Sequence, residues 1–208
     1  MNRLILLRHG ESKWNLENRF TGWKDIELSP NGIKEAIQSG KLMSLNNLLI
    51  DVVYSSKLKR ANHTAEIALK EGNYDHLFKD GNLIVNKNIA LNERDYGDLT
   101  GLNKKDTAEK YGKDQVHIWR RSYETNPPGG ESLKNVVERV EPYYEKFIKN
   151  DLHNGKNVLL SAHGNSLRAL FLILNFYNKE NISQAEIPTG KPYIVEFNNE
   201  KIIDNYYL

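Results

Sequence analysis

Apolar positions fall along this chain in two rhythms. Leu4-Ile5-Leu6-Leu7 and Val158-Leu159-Leu160 run without alternation, which suits strands covered on both faces, as in a parallel sheet. Val52-Val53-Tyr54 reads as a second short strand and Leu83 to Val85 as another. Between them the period lengthens. Ser29-Pro30 reads as a helix start, serine as N-cap and proline at the first helical position, and Ile33, Ala36, Ile37, Gly40 and Met43 follow on one face. Leu58 to Glu71 is predicted helical, with Leu58, Ala61, Ala65 and Ala68 aligned. Lys104 to Tyr111 and Asp114 to Tyr123 also read as helices, and Ser166 to Leu174 as a largely apolar one. Glu131 to Asn150 is amphipathic, with Pro142 expected to kink or divide it. Gly10 to Gly22 reads as a long loop, Asn86 to Thr100 as irregular, and Asn126-Pro127-Pro128-Gly129-Gly130 as a firm break. Ile194 to Phe197 and Lys201 to Ile203 flank Asn198-Asn199-Glu200 as a terminal hairpin.

Strands alternating with helices predict an α/β fold, a three-layer α/β/α sandwich around a mainly parallel sheet. No repeat or composition shift divides the chain, so residues 1–208 are expected to form one domain, with residues 86–130 a capping insertion after the third strand.

Composition narrows the chemistry. The 29 basic and 27 acidic residues leave a net charge of +2, which gives no global field for nucleic acid; an anion site must come from a local gathering of Arg and Lys. Cysteine is absent, which removes disulfides and Cys-ligated metals and suits a reducing compartment. The N-terminal apolar run is too short for a signal sequence, and the longest later one, Ala169 to Leu174, is too short to span a bilayer. A soluble, cytoplasmic protein with no membrane partner is expected.

Three strand-like runs end in similar polar residues. Leu4–Leu7 leads into Arg8-His9-Gly10, Val52–Tyr54 leads through Ser55-Ser56 to Lys57, Lys59 and Arg60, and Val158–Leu160 leads into Ser161-Ala162-His163-Gly164-Asn165. Ligands of open α/β sheets bind outside the carboxyl ends of the strands, so parallel strands would bring Arg8, His9, Arg60 and His163 around one mouth. Two arginines and two histidines suit a phosphoryl group: guanidinium forks hold its oxygens, and imidazole serves as nucleophile or proton donor. Gly10 and Gly164, lacking Cβ, would let backbone N–H groups approach an oxyanion. Taken singly, each residue also fits an ordinary structural role; the repeat of His-Gly at two strand ends favours the anion site.

LLRHGESKWN, TGW at Thr21–Trp23, SSKLKRA, LNERDYGDLTGLNK, WRRSY, SAHGNSLRAL and IPTGKPYIVEF together resemble the cofactor-dependent phosphoglycerate mutases of the histidine phosphatase superfamily, in order from about Met1 to Tyr207. The resemblance implies a single catalytic domain that interconverts 3-phosphoglycerate and 2-phosphoglycerate in glycolysis and gluconeogenesis, primed by 2,3-bisphosphoglycerate and needing no metal. It implies that His9 becomes phosphohistidine; that Arg8, Asn15, Arg60, His163, Gly164 and Asn165 hold the transferring group; and that Glu93 is the general acid/base. Thr21, Gly22, Arg94, Tyr96, Lys104, Arg120 and Arg121 would bind the rest of a small phosphorylated three-carbon acid. The enzyme would act as a monomer or a dimer.

Charge arithmetic agrees. A bisphosphorylated carboxylate carries roughly −4 to −5, taking roughly −1.5 to −2 per phosphate, and Arg8, Arg60, Lys104, Arg120 and Arg121 supply five positive charges. Neutral imidazole attacks near pH 7 because its ordinary pKa is about 6.5. A general acid at Glu93 calls for a raised pKa, against the pull of adjacent Arg94. Adjacent arginines do not share one helical face, so Arg120 and Arg121 are expected to reach a substrate unequally. The chain departs from the family pattern in three places: Asp95 stands where histidine is usual, close to Glu93; the segment Thr125–Glu131 is abbreviated; and Leu208 is last where many members continue into a tail over the site. A shorter lid would admit water, so the alternative is a bisphosphoglycerate or sugar phosphatase running the same phosphohistidine chemistry. A module that only binds phosphate is a third reading.

Overall fold

The computed structural model describes residues 1–198 and 200–208; Asn199, inside the expected terminal turn, lies outside the described residues. Strand β1 (Asn2–Arg8) is followed by a one-turn helix α1 (Lys13–Leu16) within the stretch expected to be loop. Ser12 starts it: its Oγ accepts the Asn15 N–H while Asn15 Oδ1 accepts the Ser12 N–H, a reciprocal cap. Helix α2 (Pro30–Leu45) begins where Ser29 caps it, Oγ accepting the Gly32 N–H. Its buried face holds Gly32, Ala36, Ser39, Gly40 and Met43, whereas Ile33 stays exposed. Strand β2 (Val52–Ser55) and helix α3 (Lys59–Glu71) follow, the latter burying Ala61, Ala65 and Ala68 as its spacing predicts.

The expected strand at Leu83–Val85 divides differently. Strands β3 (Phe78–Lys79) and β4 (Asn82–Leu83) form a separate antiparallel ribbon, and the main sheet instead takes β5 (Asn86–Lys87), at the start of the stretch expected to be irregular. The cause is local: Asp80 and Gly81 between the paired residues Lys79 and Asn82 both have positive φ, the two-residue Asp-Gly hairpin turn. Helices α4 (Lys104–Tyr111) and α5 (Lys113–Arg121) come next, around a small core of Phe20, Leu99 and Val116. Helix α6 (Leu133–Tyr143) then widens into a π-helical turn (Tyr144–Ile148) before α7 (Lys149–His153). Pro142 sits at that division, where its missing N–H breaks the helical ladder. Strand β6 (Val158–Ala162), helix α8 (Gly164–Ile173) and the antiparallel pair β7 (Pro192–Asn198) and β8 (Lys201–Tyr207) complete the chain.

The six-stranded sheet has the order β5-β2-β6-β1-β7-β8, with β5, β2, β6 and β1 parallel and β7 and β8 antiparallel. Its alternation fixes the layers. Leu4 and Leu6 join Val158, Leu160 and residues of α6 and α8 on one face. Ile5 and Leu7 join Leu159, Val53 and residues of α2 and α3 on the other. Leu4 to Leu7 are each at most 1% exposed, and full burial of each such side chain stabilises by about 1.5–3 kcal/mol. The unbroken apolar runs therefore mean what their pattern predicts, a sheet covered on both sides. Among the described residues no helix is long and apolar enough to cross a membrane.

Candidate active site

Sheet register brings the two histidines together. Arg8 of β1 lies beside Ala162 of β6, and the His9 N–H donates to the Ala162 carbonyl at 3.0 Å. The residues one step beyond that pair are His9 and His163, whose ring centroids are 5.0 Å apart with planes tilted by 58°. On the other side of β6, Ser55 pairs with Ser161, so the chain ends just beyond, Ser56 after β2 and His163 after β6, are neighbours: Ser56 Oγ is 2.8 Å from His163 Nε2. Both rings are buried. The His9 Nδ1 lies 2.6 Å from the Gly10 carbonyl oxygen. That oxygen only accepts, so Nδ1 carries the proton and Nε2 keeps its lone pair. Burial, with Arg60 and Arg8 nearby, holds His9 well below its ordinary range, and burial together with Arg60 does the same for His163. His9 is thus a neutral imidazole near pH 7, with the lone pair on Nε2.

A cavity of about 240 Å³ opens over His9. Arg8, Asn15, Thr21, Gly22, Arg60, Glu93, Tyr96, Lys104, Arg120, Arg121, Gly164 and Asn165 line it, so the residues proposed from sequence are at the cavity except Gly10, Arg94 and His163, which is packed against His9. The cations are anchored by backbone. Arg60 donates to the Gly22 and Lys24 carbonyls, and Arg8 to that of Ile187. The Nε of both arginines, Thr21 Oγ1 and His163 Nδ1 are buried without a partner, donors and acceptors that an anion or its hydroxyls would satisfy. Burial pulls Arg60 down to about 10 and lowers Arg8, Lys104 and Arg120, each against its ordinary value. A cluster of like charges raised this far out of water favours a polyanion.

Glu93 is the acid among the cavity residues. Its Oε1 accepts from the Arg94 N–H and from both the backbone and side-chain nitrogens of Asn165, at 2.8–3.1 Å. Burial alone would raise this carboxyl; the Arg94 N–H, the charges of Arg60 and Arg8 and the Asn165 amide outweigh burial and hold it below its ordinary value. Glu93 is therefore a carboxylate, with Oε2 uncommitted by these bonds.

A sequence profile of the histidine phosphatase superfamily (branch 1) matches residues 4–204. The chain belongs to the histidine phosphatase superfamily. It is 50% identical over 200 residues, 96% of this chain and 94% of the relative, to a protein from Bradyrhizobium diazoefficiens named 2,3-bisphosphoglycerate-dependent phosphoglycerate mutase. Among solved structures it resembles a mycobacterial glucosyl-3-phosphoglycerate phosphatase (TM-score 0.79, 25% identity, 94% of this chain and 93% of that one). It also resembles Bacillus stearothermophilus YhfR (TM-score 0.80, 24% identity, covering 97% and 94%).

On this histidine phosphatase scaffold several expectations change. Gly10 does not offer its amide to a ligand: its N–H donates to Thr64 Oγ1. A Cβ there would sit 2.2 Å from the Gly32 carbonyl oxygen, so the missing side chain serves packing against α2. Gly164, the first residue of α8, does carry an N–H that its helix leaves unpaired. Arg94 is fully buried behind the wall, its guanidinium over the Tyr96 ring and donating to Tyr96 Oη and the Arg120 carbonyl; it braces two cavity-lining residues and does not line the cavity itself. Asp95 accepts the Gly97 N–H at Oδ1 and is not among the cavity-lining residues. Arg120 and Arg121, the last two residues of α5, both line the cavity, against the expectation that they would reach it unequally. Sequence reasoning missed Arg19 and Arg168, which also line it. Arg168 lies in the SAHGNSLRAL motif; it donates from Nε and Nη2 to the Ala185 carbonyl, and burial with Arg121 and Arg8 pulls it down to about 10.

Proposed function

We propose that this protein interconverts 3-phosphoglycerate and 2-phosphoglycerate through phosphohistidine at His9, serving glycolysis and gluconeogenesis. The observation that carries this reading is His9 itself: a neutral imidazole with Nδ1–H tied to a carbonyl and Nε2 free, beside a cluster of buried cations. The high identity to proteins named phosphoglycerate mutase supports the isomerase over the hydrolase. The cavity fits 2,3-bisphosphoglycerate: its charge of roughly −4 to −5 meets Arg8, Arg19, Arg60, Lys104, Arg120, Arg121 and Arg168, and the orphaned Nε atoms of Arg8 and Arg60 await acceptors. Bound there, it would supply the phosphoryl group that charges His9. Among the described residues no group of three or more His, Cys, Asp or Glu gathers as a metal site.

In this reading Arg8 and Arg60 neutralise the transferring group, and Asn15, His163 and the start of α8 at Gly164 and Asn165 help hold it, since phosphoryl transfer demands positioning and charge stabilisation above all. Asn15 is oriented for this by α1, which ties its Oδ1 to the Ser12 N–H and leaves the amide NH₂ for a ligand. Thr21, Gly22, Tyr96, Lys104, Arg120 and Arg121 hold the rest of the acid. Carboxylate Glu93 takes the proton from the substrate hydroxyl as it attacks phosphohistidine. It returns a proton to the oxygen that leaves when His9 is recharged, the reverse of the same transfer. The whole chain acts as one catalytic domain, with residues 86–130 capping the cavity. It works on small phosphorylated three-carbon acids in the cytoplasm, as a monomer or dimer, without nucleic acid or membrane.

The phosphatase remains the competing activity, because one solved structure it resembles is named glucosyl-3-phosphoglycerate phosphatase and the same phosphohistidine ends on water if the cavity is wet. Brief incubation with labelled 2,3-bisphosphoglycerate is expected to give an acid-labile, base-stable phosphopeptide containing His9, absent in His9→Ala. With 3-phosphoglycerate and a trace of bisphosphoglycerate, isomer formation should greatly exceed phosphate release. Phosphate release without isomer rejects the mutase.

A further inference from the structure

Glu35 of α2 touches neither the cavity nor either histidine, yet it ends on the peptide that orients His9. One oxygen, Oε2, accepts the Glu11 N–H at 2.7 Å. That N–H belongs to the Gly10–Glu11 peptide unit, and the carbonyl at the other end of the same unit is the one that accepts the His9 Nδ1–H at 2.6 Å. The close approach is built in from both sides. A Cβ on Gly10 would sit 2.2 Å from the Gly32 carbonyl oxygen, and one on Gly32 would sit 2.0 Å from the Glu11 carbonyl oxygen. Only two glycines let the first turn of α2 lie against this peptide. The other Glu35 oxygen accepts from Thr189 Oγ1 at 2.9 Å and Asn31 Nδ2 at 3.2 Å, which fixes the carboxylate from behind. Thr64 Oγ1 holds the preceding peptide through the Gly10 N–H at 3.0 Å.

We propose that Glu35 is a positioning residue for the nucleophile, acting through the Gly10–Glu11 peptide as a carboxylate–peptide–imidazole relay. The carboxylate holds the N–H end of the peptide by a charge-assisted bond, about twice as strong as a neutral one. The plane of the peptide, and with it the carbonyl aimed at Nδ1, is thereby set, which fixes the proton on Nδ1 and the lone pair on Nε2. As Nε2 bonds to phosphorus the ring gains positive charge, and Nδ1–H becomes a stronger donor. A carbonyl polarised by an anion at the far end of its own peptide accepts that stronger bond best. No proton passes to Glu35. Its charge works through the amide dipole, and its geometry through the amide plane.

This inference rests on His9 being the phosphoryl acceptor, so the test separates the two. Nitrogen-15 NMR of histidine-labelled protein without ligand reads the His9 tautomer directly. Single-turnover labelling with 2,3-bisphosphoglycerate reads the rate of phosphohistidine formation. Glu35→Ala is expected to shift the His9 nitrogen and Nδ1–H resonances and slow phosphorylation by about 10- to 100-fold, the scale of a misplaced reacting group, with apparent substrate affinity little changed. Glu35→Gln, which keeps shape and an accepting oxygen but loses the charge, should fall between wild type and Glu35→Ala in both readouts. Thr189→Val removes a contact of Glu35 without touching the Glu11 N–H, and should keep most of the phosphorylation rate. Wild-type resonances and rate in both Glu35 variants overturn the proposal, as does a Thr189→Val loss equal to that of Glu35→Ala, which would make the brace purely structural. If the wild type forms no phosphohistidine the mutase reading fails, while the resonances still decide whether Glu35 sets the tautomer.

Discussion

Glu93 is held at one oxygen by three N–H groups and is ionised, because Arg94, Arg60, Arg8 and Asn165 outweigh the effect of burial. That suits the first half of the proposed transfer, in which a base would take the hydroxyl proton, and it removes the need for a raised pKa before substrate binds. Glu93→Gln keeps the shape and loses the proton acceptor. Its kcat should fall about 10²- to 10⁴-fold, the usual worth of a positioned acid/base, with KM close to wild type; a defect confined to KM contradicts the proton role. The residues at this scale were unevenly legible. His9, His163, Arg8 and Arg60 announce themselves because each follows or closely trails a strand-like apolar run. Arg168 and Glu35 do not, because a single charge on a helix looks the same in sequence whether it faces water or a neighbouring loop. Only the fold puts Glu35 against Glu11, and Arg168 beside Gly164 and Arg8.

Elements were read best where one face had to be buried and least well where a turn decided the outcome. The runs of β1 and β6, the capped start of α2 and the break at Pro142 follow from pattern alone. The Asp80–Gly81 turn was missed, and with it the small ribbon that displaces the edge strand of the main sheet to Asn86–Lys87. Glycine was misread in a similar way: Gly10 was taken for an anion contact, and its role is to admit Gly32. This gives a prediction about two packed elements. Gly32→Ala improves intrinsic helix propensity by about 1 kcal/mol, but its Cβ would sit 2.0 Å from the Glu11 carbonyl oxygen, which is backbone and cannot swing aside. Overpacking of this kind costs about 1–3 kcal/mol, so the clash should win. A lowered Tm together with slowed phosphorylation of His9 is expected; a stabilised, fully active Gly32→Ala contradicts the packing account.

Over the whole molecule the charges nearly cancel, at +2, yet seven cations surround Glu93 in one cavity with two neutral imidazoles beneath them. The clustered cations therefore repel one another in a way that an anion relieves, and the buried rings beneath them give stability a definite sign in pH. His9 and His163 are held well below 6.5 when folded, by burial first and Arg60 next, and return to about 6.5 when unfolded. Between these limits the unfolded chain binds protons that the folded one refuses. Stability is thus fully present above about pH 6.5 and declines as pH falls toward the folded values, by up to about 1.4 kcal/mol per pH unit for each ring. Denaturant unfolding in buffers free of phosphate and other polyanions should show that decline between pH 7 and 5. His9→Asn and His163→Asn should each remove part of it, and the double variant most of it. Added 2,3-bisphosphoglycerate should stabilise the wild type at every pH by mass action, about 2.7 kcal/mol at a hundredfold excess over Kd. A wild-type profile that is flat across this window, or unchanged in the double variant, would mean that the two rings are not the buried neutral pair on which the chemistry depends.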